Sequence, residues 1–132
     1  MVTSNLMGGL GNYMFQISAA TSLAEKNDDQ AVFNFDGAKR IHRNINLYRD
    51  NILRKVKIGN LNVDNTYKEP EFIYNEIPYQ NNLLLDGYFQ SEKYFDEKVV
   101  RELFSIDDIS NSYIHEKYGS LLDNKTVSVH VR

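Results

Sequence analysis

The sequence contains no cysteine, which excludes disulfides, thiolate zinc sites and cysteine nucleophiles. A cytosolic setting is compatible with that composition, and a cytoplasmic protein is the expectation. No stretch approaches the roughly 20 apolar residues that a membrane-spanning helix needs. The uncharged run from Met1 to Ala24 lacks a basic start and is interrupted by Gly8, Gly9, Gly11 and Asn12, so it does not read as a signal peptide. With nothing directing export, the sequon Asn124-Lys125-Thr126 reads as coincidence. Internal repeats, low-complexity tracts and proline- or glycine-rich linkers are all absent. The net charge of -3 gives no general case for binding nucleic acid or an anionic membrane. At 132 residues, 42% hydrophobic and 25% charged, the chain suits one soluble domain, residues 1–132, with enough material for a buried core.

Along the chain, Val2 to Met7 reads as a short strand followed by a glycine loop. Tyr13 to Asn27 reads as a helix, because Met14, Ile17, Ala20, Leu23 and Ala24 recur near helical spacing. Ala31 to Phe35 is aromatic and β-branched enough for a second strand. A strand-helix-strand opening favours a parallel sheet covered by helices, an α/β fold of Rossmann-like type. From Ala38 to Lys57 come Lys39, Arg40, Arg43, Arg49, Arg54, Lys55 and Lys57 against the single acid Asp50. A solvated helix face explains this run, and a positive surface attracting an anionic ligand is the alternative. Between Asn60 and Asn82 the pattern is weak, and Pro70 and Pro78 argue against a long helix.

Leu83 to Leu85 reads as a strand running into Asp86-Gly87-Tyr88-Phe89-Gln90. Ser91 is an N-cap candidate with Glu92 in the first turn, and Phe95, Val99, Val100 and Leu103 supply an apolar helical stripe. A further helix is expected from Asp107 to Tyr118, ended by Gly119. Thr126 to Val131 alternates and is β-branched, so it reads as a strand. The strands Val2–Met7, Ala31–Phe35 and Thr126–Val131 are expected to be near neighbours, all parallel. A strand finishing one residue before the end of the chain suggests truncation of a longer protein.

Gly8-Gly9-Leu10-Gly11-Asn12 lies between a strand and a helix, where backbone amides face an anion and glycine permits close approach. A phosphate-binding P-loop would end in Gly-Lys-Ser or Gly-Lys-Thr, and Asn12-Tyr13-Met14 stands there instead. The dinucleotide fingerprint would place glycine or alanine where this chain has Met14, although Asp36 ends the second strand where a ribose-binding acid would lie. On glycine spacing alone, a tight turn packing helix against sheet competes evenly with an anion-facing loop.

The longer string Met7-Gly8-Gly9-Leu10-Gly11-Asn12-Tyr13-Met14-Phe15-Gln16 resembles the opening motif of the α-1,2-fucosyltransferases, glycosyltransferase family 11, which typically reads Gly-Gly-Leu-Gly-Asn-Gln-Met-Phe-Gln. Tyr13 stands where that family has glutamine, and Ile17-Ser18 where it has Tyr-Ala. Leu85 to Phe95 is similar to a second family segment, and Val127-Ser128-Val129-His130-Val131-Arg132 to the start of the motif His-x-Arg-Arg-Gly-Asp. The three strings fall in the family's order and span the chain, with Ala38 to Asn82 contributing little.

The resemblance implies transfer of L-fucose from GDP-fucose to a galactoside or oligosaccharide hydroxyl with inversion at the anomeric carbon. It implies a GT-B-like architecture of which this chain is the N-terminal part, the C-terminal donor-binding part being absent. It implies no metal cofactor, and the chain has no Asp-x-Asp pair to hold one. Carried over residue by residue, Arg132 would meet the leaving diphosphate through a bidentate contact. His130 would support it from the same strand face. Asn12 and Gln16 are short polar groups beside Gly9 and Gly11, able to hydrogen-bond donor or acceptor. Asp86 is the nearest motif carboxylate, either a base candidate or a turn residue. Tyr88 or Phe89 could stack on sugar, with Gln90 alongside as a further polar contact. Peripheral membrane contact of a longer parent is compatible with this reading. Two rivals stand beside it: a non-catalytic nucleotide- or glycan-binding module, and a dinucleotide enzyme resting on Gly9, Gly11 and Asp36.

Overall fold

A computed structural model of the chain describes residues 1–36, 39–40 and 44–131. Its elements in order are β1 (Val2–Ser4), β2 (Met7–Gly8), α1 (Leu10–Lys26), β3 (Lys39–Arg40), β4 (Asn65–Lys68), β5 (Leu83–Asp86), α2 (Glu97–Leu103) and α3 (Asp108–Leu122). The main sheet has the order β1-β5-β4. Both of its ladders are parallel, with Val2 opposite Leu83, Ser4 opposite Leu85, Asn65 opposite Leu83 and Lys68 opposite Asp86. Single parallel bridges from Val2 to Ala31 and from Phe33 to Ile58 continue the pattern beyond β1. β2 and β3 form a separate two-stranded parallel ladder. The protein is therefore α/β, with a small parallel sheet flanked by helices, an arrangement compatible with a Rossmann-like fold.

α1 starts at Gly9, whose carbonyl accepts from Tyr13 N–H at 3.0 Å. Tyr13, Gln16, Ile17, Ala20 and Ala24 form its buried face, the three-and-four spacing that points one stripe at a core. That stripe packs on β1 within a cluster that includes Val2, Phe33, Leu83, Leu85 and Phe89. The helix ends at Asn27, whose side-chain amide donates to Leu23 O at 2.8 Å. Asp28 then turns the chain out with φ 53°. No helix among the described residues is long and apolar enough to cross a membrane.

Four expectations are corrected. Thr126 to Val131 is not a strand: Val127, Val129 and Val131 are 90%, 80% and 83% exposed and the segment pairs with none of the described residues. Alternation supplies the propensity, but a strand exists only through a partner's ladder hydrogen bonds. Ala31 to Phe35 contributes bridges at Ala31 and Phe33 rather than a continuous strand. Gly119 does not stop its helix; α3 runs on to Leu122 and ends at Asp123, because glycine ends a helix by adopting positive φ, and Gly119 does not. The basic segment carries no α-helix among its described residues. It holds a 3₁₀ turn at Ile45–Tyr48 capped by Asn44, and Arg54 donates to Ser105 O at 2.6 Å.

The stripe following Ser91 is also divided. Ser91 caps only a 3₁₀ turn, Glu92–Tyr94, and Phe95 is extended. Asp96 then caps α2 by accepting from Lys98 N–H at 2.7 Å.

The start of the sheet is tied down electrostatically. The terminal ammonium of Met1 lies 2.6 Å from Asp29 Oδ2, and the Tyr79 hydroxyl donates to the same oxygen at 3.0 Å. Burial pushes the Asp29 carboxyl up, but hydrogen bonds from the ammonium, Gln30 N–H and Tyr79, with the ammonium's charge, hold it below the usual carboxylate range. A depressed folded pKa means that the contribution is complete above the unfolded value of about 3.9 and is lost as pH falls through the folded one. The difference in melting temperature between wild type and Asp29→Asn should thus be constant near neutrality and shrink below about pH 4. Thermal melts across that range check it; a difference that grows on acidification contradicts it.

Candidate functional site

In a parallel sheet the loops leaving the strand C-termini share one edge, and ligands of α/β folds bind there. Here that edge gathers the turn after β1, the chain after β4 and the loop after β5. Ser4 Oγ and Asn5 N–H both donate to Leu85 O, at 3.2 and 2.8 Å. Asn5 Nδ2 donates to Asp86 Oδ1 at 2.8 Å. Two residues of α1 complete the connection: Gln16 accepts from Met7 N–H and donates to Gly87 O, both at 3.1 Å. Asn12 Oδ1 accepts from Gln90 Nε2 at 2.7 Å. The two motif strings therefore meet, through side chains from the first turns of one helix.

Glycine is required at two places. Gly8 has φ +91°, and a Cβ there would lie 2.2 Å from Asn12 Nδ2. At Gly87 a Cβ would lie 2.4 Å from Glu69 Cβ. Gly9 and Gly11 have nothing within 4 Å of that position, so they leave open space at the start of α1. Among the described residues no side chain caps α1 and no acid sits in its first turn, an arrangement that suits an anion at the positive end of the helix dipole.

Glu69 was not signalled by any sequence motif, yet it holds the second string in shape. Its Oε2 accepts from Tyr88 N–H at 2.7 Å and Phe89 N–H at 3.0 Å, while its own N–H donates to Asp86 O at 2.9 Å. Phe89 needs this support, since its φ of 52° is unfavourable for a residue with a side chain. Glu69→Ala removes a charged acceptor from two amides, worth about 1.5 kcal/mol or more. Hydrogen exchange at Tyr88 and Phe89 should accelerate roughly tenfold or more. Unchanged exchange would show that the loop holds itself.

The aromatic residues divide by burial. Phe89 is fully buried and packs edge-on to Tyr94, with centroids 5.2 Å apart. Tyr88 is half-buried and stacks on Phe72. Burial pushes the Tyr67 and Tyr94 phenols above their ordinary value, so both are neutral packing groups at physiological pH. Tyr13, at the position where the resemblance departs from its pattern, is wholly buried and its hydroxyl has no hydrogen-bond partner among the described residues. It lies in the core.

Of the residues singled out from sequence, Gly9, Gly11, Asn12, Asp86, Tyr88 and Gln90 come to the shared edge. Gln16 comes there too, but it is wholly buried with both ends of its amide engaged, so it braces the loops from beneath. His130 is exposed on the stretch after α3 that belongs to no helix or strand, and Arg132 lies outside the described residues. Asp36 is exposed on a turn after Phe35. Among the described residues, no group of three or more His, Asp or Glu side chains is disposed to hold a metal ion. Comparison of the chain with protein-family models, with curated proteins and with solved structures returned no match.

Proposed function

We propose that this chain is the N-terminal part of a galactoside α-1,2-fucosyltransferase of GT-B-like architecture that uses GDP-fucose without a metal. In this reaction a galactoside hydroxyl oxygen bonds to the anomeric carbon of fucose from the side opposite GDP. The bond from that carbon to the diphosphate oxygen breaks and its electron pair leaves with GDP. The hydroxyl proton passes to a base, and the configuration inverts. The observation that carries the proposal is the joining of Asn12 to Gln90 and of Gln16 to Gly87, pairs 78 and 71 residues apart in sequence. Two strings that resemble separate family motifs thereby support one edge. The start of α1 offers a place for phosphate charge, and Asp86 Oδ1 accepts from Asn5, which leaves Oδ2 without a hydrogen bond among the described residues.

The test is to express the whole gene product carrying this sequence and measure GDP release from GDP-fucose with lactose present and absent. Acceptor-dependent release with a fucosylated product identified by mass spectrometry supports the proposal. Lactose binding without turnover points instead to a glycan-binding module, and NAD binding to a dinucleotide protein. The 132-residue chain alone is expected to bind GDP weakly and to transfer nothing, because one domain supplies only part of such a cleft. Tight GDP binding by it, measured calorimetrically, would contradict that division of labour.

A further inference from the structure

Phe72 is 82% exposed, an unusual position for a phenyl ring whose transfer out of water is favourable. Its ring stacks on that of Tyr88, with centroids 6.2 Å apart and an interplanar angle of 27°. The pair borders a cleft of about 280 Å³ lined also by Met7, Lys68, Glu71 and Asp86. Glu69 and Pro70 line it as well, and Glu69 holds the Tyr88 backbone. A flat apolar surface beside carboxylates is complementary to a ligand with one apolar face and several hydroxyl donors. The charges select further. Among the described lining residues, Glu69, Glu71 and Asp86 outnumber Lys68, which disfavours a phosphorylated ligand and not a neutral polyol.

We infer that Phe72 and Tyr88 form a stacking platform for a neutral pyranoside, with Asp86 and Glu71 accepting from its hydroxyls. That the pyranoside is a galactoside rests on the activity proposed above; the neutral sugar class rests on the rings and the charges alone.

The 132-residue chain, isotopically labelled, is titrated separately with methyl β-D-galactopyranoside, lactose and GDP while the Phe72 and Tyr88 ring signals are followed by NMR. Saturable shifts of both rings with the sugars and not with GDP are expected. Phe72→Ala should weaken sugar binding roughly 3- to 10-fold without altering the rest of the spectrum. Phe72→Leu, which keeps apolar bulk but loses the flat face, should weaken it similarly and guards against a folding defect in the alanine variant. Rings unmoved by sugar, variants that bind like wild type, or GDP displacing the sugar from the rings would each overturn the platform. Sugar binding at the rings in a gene product that transfers no fucose would leave the platform standing and overturn the activity. A transferring gene product with unmoved rings would do the reverse.

Discussion

Arg132→Ala in the whole gene product is expected to lower fucose transfer roughly a hundred- to thousand-fold. Under the proposed activity Arg132 meets a diphosphate whose charge grows only as the glycosidic bond breaks. Losing such a contact costs about 3 to 4 kcal/mol at the transition state. The effect should therefore fall on kcat and kcat/KM together, with KM for GDP-fucose changing less. Arg132→Lys should recover part of the loss, since it keeps the charge but not the planar fork. GDP release with a galactoside acceptor measures both, beside a thermal melt of each variant. Near-normal turnover of Arg132→Ala would remove the diphosphate role. A melt collapsed by the substitution would make the arginine a structural residue.

The largest expected effect on stability is at Gln16. Gln16→Ala leaves Met7 N–H and Gly87 O without their partner beneath a fully buried position. Two orphaned backbone groups cost about 2 to 4 kcal/mol together, which lowers Tm by roughly 6 to 15 °C in a domain of this size. Gln16→Glu gives a sharper test. The introduced carboxylate keeps an acceptor for Met7 but faces the Gly87 oxygen, while the protonated acid can donate to it. Burial and that acceptor favour the neutral form, so the folded pKa lies above the unfolded value of about 4.3. The deficit of Gln16→Glu should accordingly be small in acid and grow as pH rises through that range. A deficit independent of pH would mean that the side chain turns outward and bridges nothing.

Sequence and structure agree where the local signal and the tertiary environment demand the same thing. α1 is legible because Ile17, Ala20 and Ala24 are spaced for a helix and also bury against β1. β5 is legible because Leu83 and Leu85 are both apolar and both inside. β4 is invisible by the same standard. Asn-Thr-Tyr-Lys has no apolar alternation, and the strand exists because Leu83 to Asp86 offers it a ladder. Thr126 to Val131 is the converse, with propensity and no ladder. At the candidate site, Gly8, Asn12 and Gly87 are legible only as members of the two motif strings, and the close approaches at Gly8 and Gly87 come from the structure. Glu69 and Phe72 lie in a stretch with no periodicity, and their roles depend on which loop the sheet order sets beside them. Only the ordering β1-β5-β4 supplies that.

The same ordering constrains how the protein is made. Ser4 reaches the backbone of Leu85, a partner 81 residues further along the chain, and the strand in the middle of the sheet is the last of the three to be translated. At about 5 to 20 residues per second, the N-terminal strand waits roughly 4 to 16 s on the ribosome before its neighbour exists. Until then Ala31 is its one bridging partner among the described residues, and the apolar face of α1 has an unfinished sheet to cover. Nascent chains in which Leu83 to Asp86 has not yet left the exit tunnel should remain protease-sensitive and bind holdase chaperones. The sheet then closes in one late step rather than growing strand by strand as synthesis proceeds.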